Sequence, residues 1–105
     1  MAYANALFPA LADPTRRQVF ERLRSGGLSV GEIARELPVS RPAVSQHLKV
    51  LKDAGLVTDR QVGTRRLYQL NPTGLAALHA YFERFWNHTL AAFKDVVEHG
   101  NEEHR

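Results

Sequence analysis

Apolar residues recur along most of the chain at spacings of three and four, which is the period of an amphipathic α-helix. The pattern predicts a first helix over about residues 3–11 and a second over about residues 13–25. The second helix begins at Asp13-Pro14, an N-cap residue followed by proline, and ends before Gly26.

Two short helices with only a few residues between them follow in the middle of the chain. Ser29 and Glu32 form the Ser-x-x-Glu pattern of a capping box, and the helix that they start ends before Pro38. The next helix begins at Ser40. Because so short a connection is typical of a helix-turn-helix, we predict this motif over about residues 29–54.

The pattern then changes from helix to strand and back to helix. Residues 56–70 have the composition of two strands, joined by Val62-Gly63-Thr64, a looser connection than the two-residue Asn-Gly turn. An Asn-Pro pair then begins a long helix over about residues 72–98. The order of elements predicts one mainly α-helical domain with a single β-hairpin, a winged helix-turn-helix.

The second helix of the motif has an apolar face and a polar face. Val44, Leu48 and Leu51 recur at i, i+4 and i+7 and are predicted to be buried. The N-terminus of the helix at Ser40 favours a phosphate group. The outer face carries short neutral or basic side chains that can pair with base edges and phosphates, namely Arg41, Ser45, Gln46, Lys49 and Lys52. We therefore predict that this helix enters the major groove of double-stranded DNA.

Positive charge is concentrated in the same part of the chain. Residues 41–69 contain six cations and two anions, whereas residues 98–105 contain three acids and one arginine. At the predicted wing, Thr64, Arg65 and Arg66 are placed to contact the DNA backbone or the minor groove. The alternative is an ordinary solvated hairpin with two exposed arginines.

Composition excludes several other classes of protein. The chain has 105 residues, of which 44% are hydrophobic and 24% charged, as in a soluble globular domain. No apolar run approaches the roughly 18–20 residues that span a bilayer, and the start does not resemble a signal peptide, so we expect a cytoplasmic protein without membrane contact. There is no cysteine and no glycine-rich phosphate loop. We expect neither an enzyme nor a cofactor.

The last helix carries a wider apolar stripe than one small domain needs. We interpret the stripe as the seam of a homodimer, with the first helix packed beside it. The aromatic cluster within it could instead line a ligand pocket. The predicted interface consists of Leu7, Phe8, Leu11, Leu78, Phe82, Phe85, Trp86, Leu90 and Phe93.

Three segments resemble the ArsR/SmtB family of bacterial winged-helix repressors: ALADPTRRQVFERL, SVGEIARELPVSRPAVSQHLKVLKDAGLV and RQVGTRRLYQL. The resemblance covers about residues 7–70. It implies a homodimer that represses a promoter by occupying a dyad-symmetric operator. The positions that match DNA-facing residues of the family are Arg41, Pro42, Ser45, Gln46 and His47. For His47 the alternative is a hydrogen-bonding role within the protein.

Many members of the family sense metals, and two of their sites can be compared with this sequence. The first needs a cysteine pair where residues 29–37 have none. The second is matched in part by His88, His99 and Glu102, with Trp86 in place of an acid, but residues 88 and 99 lie about 16 Å apart along one helix. We also expect the helix to end before Glu102.

We therefore expect no metal site, and the sequence identifies no effector. Two alternatives stay open. One is a nickel- or zinc-responsive repressor that uses the histidines of the last helix, and the other is a winged helix that binds protein instead of DNA.

Overall fold

A computed structural model of the chain describes the backbone of residues 2–103 and the side chains of residues 6–99. The described residues form five α-helices and one antiparallel hairpin, and a 3-10 turn over Leu23–Ser25 extends the second helix. This architecture confirms the predicted winged helix-turn-helix. The elements are α1 (Ala2–Ala12), α2 (Pro14–Arg22), α3 (Val30–Glu36), α4 (Arg41–Asp53), β1 (Val57–Val62), β2 (Arg65–Leu70) and α5 (Pro72–Glu103).

The helices begin at the residues whose side chains can cap them. Ser29 Oγ accepts a hydrogen bond from the N–H of Glu32 at 3.3 Å, and the Glu32 carboxylate accepts one from the N–H of Ser29 at 2.9 Å. Asp13 and Ser40 likewise accept the N–H three residues further on, at 3.0 and 3.3 Å. Because these bonds satisfy N–H groups that the helix leaves free, they fix the start of each helix.

One apolar core lies under the helix-turn-helix. Val44, Leu48 and Leu51 of α4 are fully buried, as their spacing predicts. Full burial of a side chain of this size stabilises a fold by about 1.5–3 kcal/mol, so these three residues hold α4 firmly against the domain. The other buried apolar residues are Leu7, Ala10, Val19, Leu23, Ile33, Ala54, Leu56 and Val57.

The hairpin turns more tightly than the sequence suggests. The strands pair from Val57 with Leu70 to Val62 with Arg65, which leaves Gly63 and Thr64 as a two-residue turn. The prediction of a three-residue connection was therefore wrong. Gly63 adopts a φ of 63°, a conformation that costs glycine little and that suits the first central position of a type II′ turn.

The inner end of the hairpin is tied to the loop before α3. Leu28 and Tyr68 exchange both of their backbone hydrogen bonds, at 2.8 and 3.0 Å. Consequently the base of the wing is fixed to the helix-turn-helix by the backbone itself.

Helix α5 is longer than the predicted range of about 72–98. It continues through Gly100 to Glu103, so the expectation that it ends before Glu102 was wrong. A glycine inside a helix costs about 1 kcal/mol relative to alanine, but it keeps its N–H, and no proline follows it. Every residue from Phe82 to His99 is exposed, and the molecule measures 70 × 26 × 23 Å. The outer part of α5 therefore extends away from the core.

None of the described helices combines the length and the apolar composition that spanning a bilayer requires.

Candidate nucleic-acid interface

The outer face of α4 is open to solvent. Ser40 is the N-cap of α4, and Arg41 is the first residue of the helix. Lys49 lies one turn from the end of α4 and pairs with Asp53 at 3.0 Å. The predicted DNA-contacting residues that are exposed on this helix and its cap are Ser40, Arg41, Pro42, Ser45, Gln46 and Lys49.

His47 differs from its neighbours because it is half-buried. It lies near Asp13, the N-cap of α2, and is one of the smaller influences on the pKa of that carboxyl. The hydrogen bond from the N–H of Arg16 is the main cause that holds the pKa of Asp13 below its ordinary value. Half-burial places His47 at the edge of the face, and its hydrogen-bonding role within the protein stays a prediction.

The side chain of Arg41 rests over the first turn of α3. A Cβ atom added to Gly31 would lie 3.0 Å from Nη2 of Arg41 and 3.3 Å from its Cζ. Contacts this short are uncommon for a Cβ atom, so a larger side chain at position 31 would require the Arg41 guanidinium to shift by a few tenths of an ångström. The sequence offers no sign of this relation, because the two residues are ten positions apart and belong to different helices.

Both wing arginines form ion pairs within the protein. Arg65 pairs with the carboxylate of Glu32, and Arg66 Nη1 lies 2.9 Å from Asp59 Oδ2. Lys52 of α4 reaches the other oxygen of Asp59 at 2.8 Å. The wing is therefore tied to α3 through Glu32 and to α4 through Asp59.

These ion pairs favour the charged form of both acids. The hydrogen bond from Lys52 is the main cause that lowers the pKa of Asp59, with Arg66 adding to it against the effect of partial burial. For Glu32, the N–H of Ser29 is the main cause of a lowered pKa, and Arg65 contributes as well. Thr64, Arg65 and Arg66 are all exposed, so the arginines remain accessible from solvent.

Aromatic residues of α1 and α5 form a separate, partly exposed cluster. The ring of Phe8 lies edge-on to Tyr81, with centroids 5.0 Å apart, and edge-on to Phe82 at 5.8 Å. Tyr81 stacks on Phe85 at 6.4 Å. These four rings line an open concavity, which is where the alternative of a ligand pocket would apply.

The residues predicted to form a dimer seam fall into three groups. Leu7 is 1% exposed and belongs to the core of the single chain, so its assignment to an exposed seam is corrected. Leu11 and Leu78 are half-buried at the edge of that core. The others remain 38–64% exposed: Phe8, Phe82, Phe85, Trp86, Leu90 and Phe93.

The histidines of α5 lie apart from one another. His88 and His99 are both exposed, and His99 Nδ1 lies 2.9 Å from Asp95 Oδ1 in an i,i+4 pair. The side chain of Glu102 falls outside the described residues. Among the side chains that the structure describes, no three potential metal ligands come together.

The helices, the exposed face of α4 and the hairpin together define a winged helix-turn-helix. Known proteins of this class have similar sequences. Residues 11–60 match the family described as "Helix-turn-helix domain". The HTH-type transcriptional regulator Rv2034 of Mycobacterium tuberculosis is 63% identical over 89 residues, covering 85% of this chain and 83% of the relative. The transcriptional repressor SdpR of Bacillus subtilis is 39% identical over 71 residues, covering 68% and 79%.

Solved structures agree with the sequence relatives. An ArsR-like transcriptional regulator from Rhodococcus sp. RHA1 superimposes with a TM-score of 0.76 at 34% identity, covering 90% of this chain and 92% of that one. A homodimeric winged helix-turn-helix DNA-binding domain from Mycobacterium bovis, described as a possible ArsR-family regulator, has a TM-score of 0.67 at 30% identity, covering 84% and 82%. The chain belongs to the ArsR/SmtB family of winged helix-turn-helix transcriptional regulators.

Proposed function

We propose that the protein is a homodimeric repressor that binds a dyad-symmetric DNA operator and acts by occupying a promoter rather than by catalysis. Such a repressor acts in the cytoplasm, because that is where the DNA lies. The observation that carries this proposal is the exposed outer face of α4, where Ser45 and Gln46 stand between the basic residues Arg41 and Lys49. Neutral donors and acceptors flanked by cations suit base edges flanked by phosphates.

The position of α4 in the fold supports insertion into the major groove. Its buried stripe faces the core, and the side chains of the opposite face are exposed to solvent from Arg41 to Lys52. The first turn of α4 also presents backbone N–H groups and Arg41 at one end, which favours a phosphate there. Arg65 and Arg66 of the wing would contact the neighbouring backbone or the minor groove.

The exposed side of α5 supports a dimer. Between Phe82 and His99 this helix extends about 27 Å beyond the core, with its apolar side chains in water. A single exposed helix with such a stripe has little stability of its own. A second copy would cover the stripe and place two copies of α4 about 34 Å apart, which is one turn of DNA.

Truncation of Gln46 tests the face of α4. We expect Gln46→Ala to weaken operator binding by about 1–3 kcal/mol, roughly 5- to 150-fold, because a base-edge contact is lost. The measurement is fluorescence anisotropy with a selected operator duplex at fixed salt, and unchanged thermal unfolding shows that the fold is intact. Gln18→Ala, the same change at an exposed position of α2, is the control and should leave affinity unchanged. Equal affinities for wild type and Gln46→Ala would contradict the assignment.

A charge in the middle of the aromatic stripe tests the dimer. Phe85 is 55% exposed, and covering about 100 Å² of an aromatic side chain contributes about 2.5 kcal/mol. Two copies would contribute about 5 kcal/mol, so Phe85→Glu should raise the dimer dissociation constant by at least a thousandfold. Sedimentation equilibrium should then give the mass of a monomer. Val62→Glu at the wing is the control, since that residue is 45% exposed but far from α5. A dimeric Phe85→Glu variant would refute the proposed seam.

A further inference from the structure

The acidic side chain of Asp59 lies between the two basic parts of the proposed DNA interface. Its two oxygens are used separately: Oδ1 faces Lys52 of α4 at 2.8 Å, and Oδ2 faces Arg66 of β2 at 2.9 Å. The side chain of Asp59 is only 10% exposed, whereas those of Lys52 and Arg66 are each 51% exposed. One carboxylate therefore fixes two cations that both remain open to solvent.

The outer half of the wing has little apolar packing to hold it in place. Every residue from Arg60 to Arg66 is exposed, while the backbone link to the helix-turn-helix lies further back, at Tyr68. Ion pairs of the wing therefore join this exposed part to the rest of the domain. Asp59 supplies the one to α4, and Glu32 supplies the one to α3.

A carboxylate beside DNA also has an electrostatic effect. In the free protein Asp59 offsets part of the charge of Lys52 and Arg66, and this lowers the attraction to any phosphate backbone, whatever its sequence. The same contact keeps the wing at a fixed distance from α4, which matters only when both must fit one particular site.

We propose that Asp59 is a positioning residue that determines the sequence discrimination of the protein. It holds the wing in register with α4 through Lys52 and Arg66, and it restrains non-specific binding. This inference rests on the proposed function, because it presupposes that α4 and the wing contact operator DNA together.

The test compares two aspartates of similar chemistry. Asp53 also pairs with a lysine of α4, Lys49, at 3.0 Å, but its side chain is 66% exposed and the pair stays within one helix. Asp59→Asn and Asp53→Asn each raise the net charge by one. Both should therefore tighten binding to random-sequence duplex and make its salt dependence steeper.

The two variants should differ in the ratio of operator affinity to random-duplex affinity. For Asp59→Asn we expect the ratio to fall about tenfold, since the wing loses its fixed position. For Asp53→Asn we expect it to stay within about twofold of wild type, because a sequence-independent charge acts on both duplexes alike. An equal ratio in Asp59→Asn and wild type would overturn the inference.

A second variant keeps the test decisive if Asp59→Asn does not fold. Lys52→Met removes the other end of the link from an exposed position and lowers the net charge by one. Its random-duplex affinity should fall, and its discrimination ratio should fall as well, whereas a simple phosphate contact by Lys52 would leave the ratio unchanged. Asp59→Glu retains the charge and should keep much of the wild-type discrimination ratio. A wild-type protein with no preferred operator would instead refute the proposed function, an outcome that the ratio measurement identifies before any variant is made.

Discussion

Gly74 lies at the point where α5 passes the end of α4, and a single methyl group there should disturb the whole domain. It is buried in the first turn of α5. An added Cβ would overlap the carbonyl oxygen of Gly55, and it would lie 2.9 Å from the Gly55 carbonyl carbon and 3.3 Å from Leu56 Cα. These neighbours are backbone atoms, so no side-chain rotation can relieve the overlap.

The cost of Gly74→Ala follows from these contacts. Forcing an extra methyl group into a packed site costs about 1–3 kcal/mol, and the upper end applies here because α5 or the Gly55 turn must move. The hydrogen bond from Asn71 Nδ2 to Gly55 O, 2.8 Å long, would be strained by the same movement. Alanine recovers about 1 kcal/mol through its higher helix propensity. We expect a net loss of about 2 kcal/mol.

The assay is thermal and urea unfolding followed by circular dichroism, at one fixed protein concentration because a dimer unfolds in a concentration-dependent way. A loss of about 2 kcal/mol should lower the midpoint temperature by about 10 °C. Gly27→Ala is the matched control, since a Cβ there would meet Leu67 Cβ and Tyr68 O at an ordinary 3.6 Å. If the two variants unfold at the same temperature, the close approach between α5 and the end of α4 is not rigid, which contradicts the predicted loss of stability.

Two further predictions concern Arg41 and the three acids with lowered pKa. Gly31→Ala should leave the free energy of unfolding equal or slightly higher, because alanine favours the helix. It should weaken operator binding several-fold in fluorescence anisotropy, because the added methyl group displaces Arg41. Unchanged affinity would show that the position of Arg41 is unimportant. The pKa values of Asp13, Glu32 and Asp59 are all held below their ordinary values of 3.8, 4.5 and 3.8. Their stabilising effect is therefore present at neutral pH and is lost as the pH falls through those ordinary values and below, which urea titrations at decreasing pH would detect. The loss should be shallower in Asp59→Asn, and identical slopes would contradict a role for its ion pairs.

Local signals in the sequence predict much of the fold. The cap residues Asp13, Ser29 and Ser40 mark where helices begin, and each makes the expected hydrogen bond. The i, i+4, i+7 stripe of α4 predicts its buried face. These features depend on residues within about seven positions of each other, which a sequence displays directly.

The errors arise where distant segments or weak penalties decide the structure. Leu7 has the same apolar character as Phe8, and only the packing of α1 against the core shows that the first is buried and the second exposed. The sequence predicts too early an end for α5, because the helical cost of Gly100 is small. The tight turn at Gly63 follows from strand pairing, which the composition of the turn does not specify.

The interface shows the same division between near and distant relations. Periodicity predicts which residues of α4 lie on its outer face, and their exposure agrees with that prediction. The pairing of Arg65 with Glu32 spans 33 positions, and the contact of Asp59 with Lys52 joins a strand to a helix. Since neither relation has a local signal, the acids that hold the wing could be recognised only in the folded protein.

In the proposed complex, two copies of α4 contact DNA in symmetry-related major grooves. The most direct measurement is selection of bound duplexes from a random pool by the purified wild-type protein, followed by sequencing. We expect a palindromic motif whose half-sites are centred about 10 base pairs, or a multiple of one helical turn, apart. Enrichment of a single unrepeated half-site, or no enrichment above the starting pool, would contradict binding by two symmetry-related copies of α4.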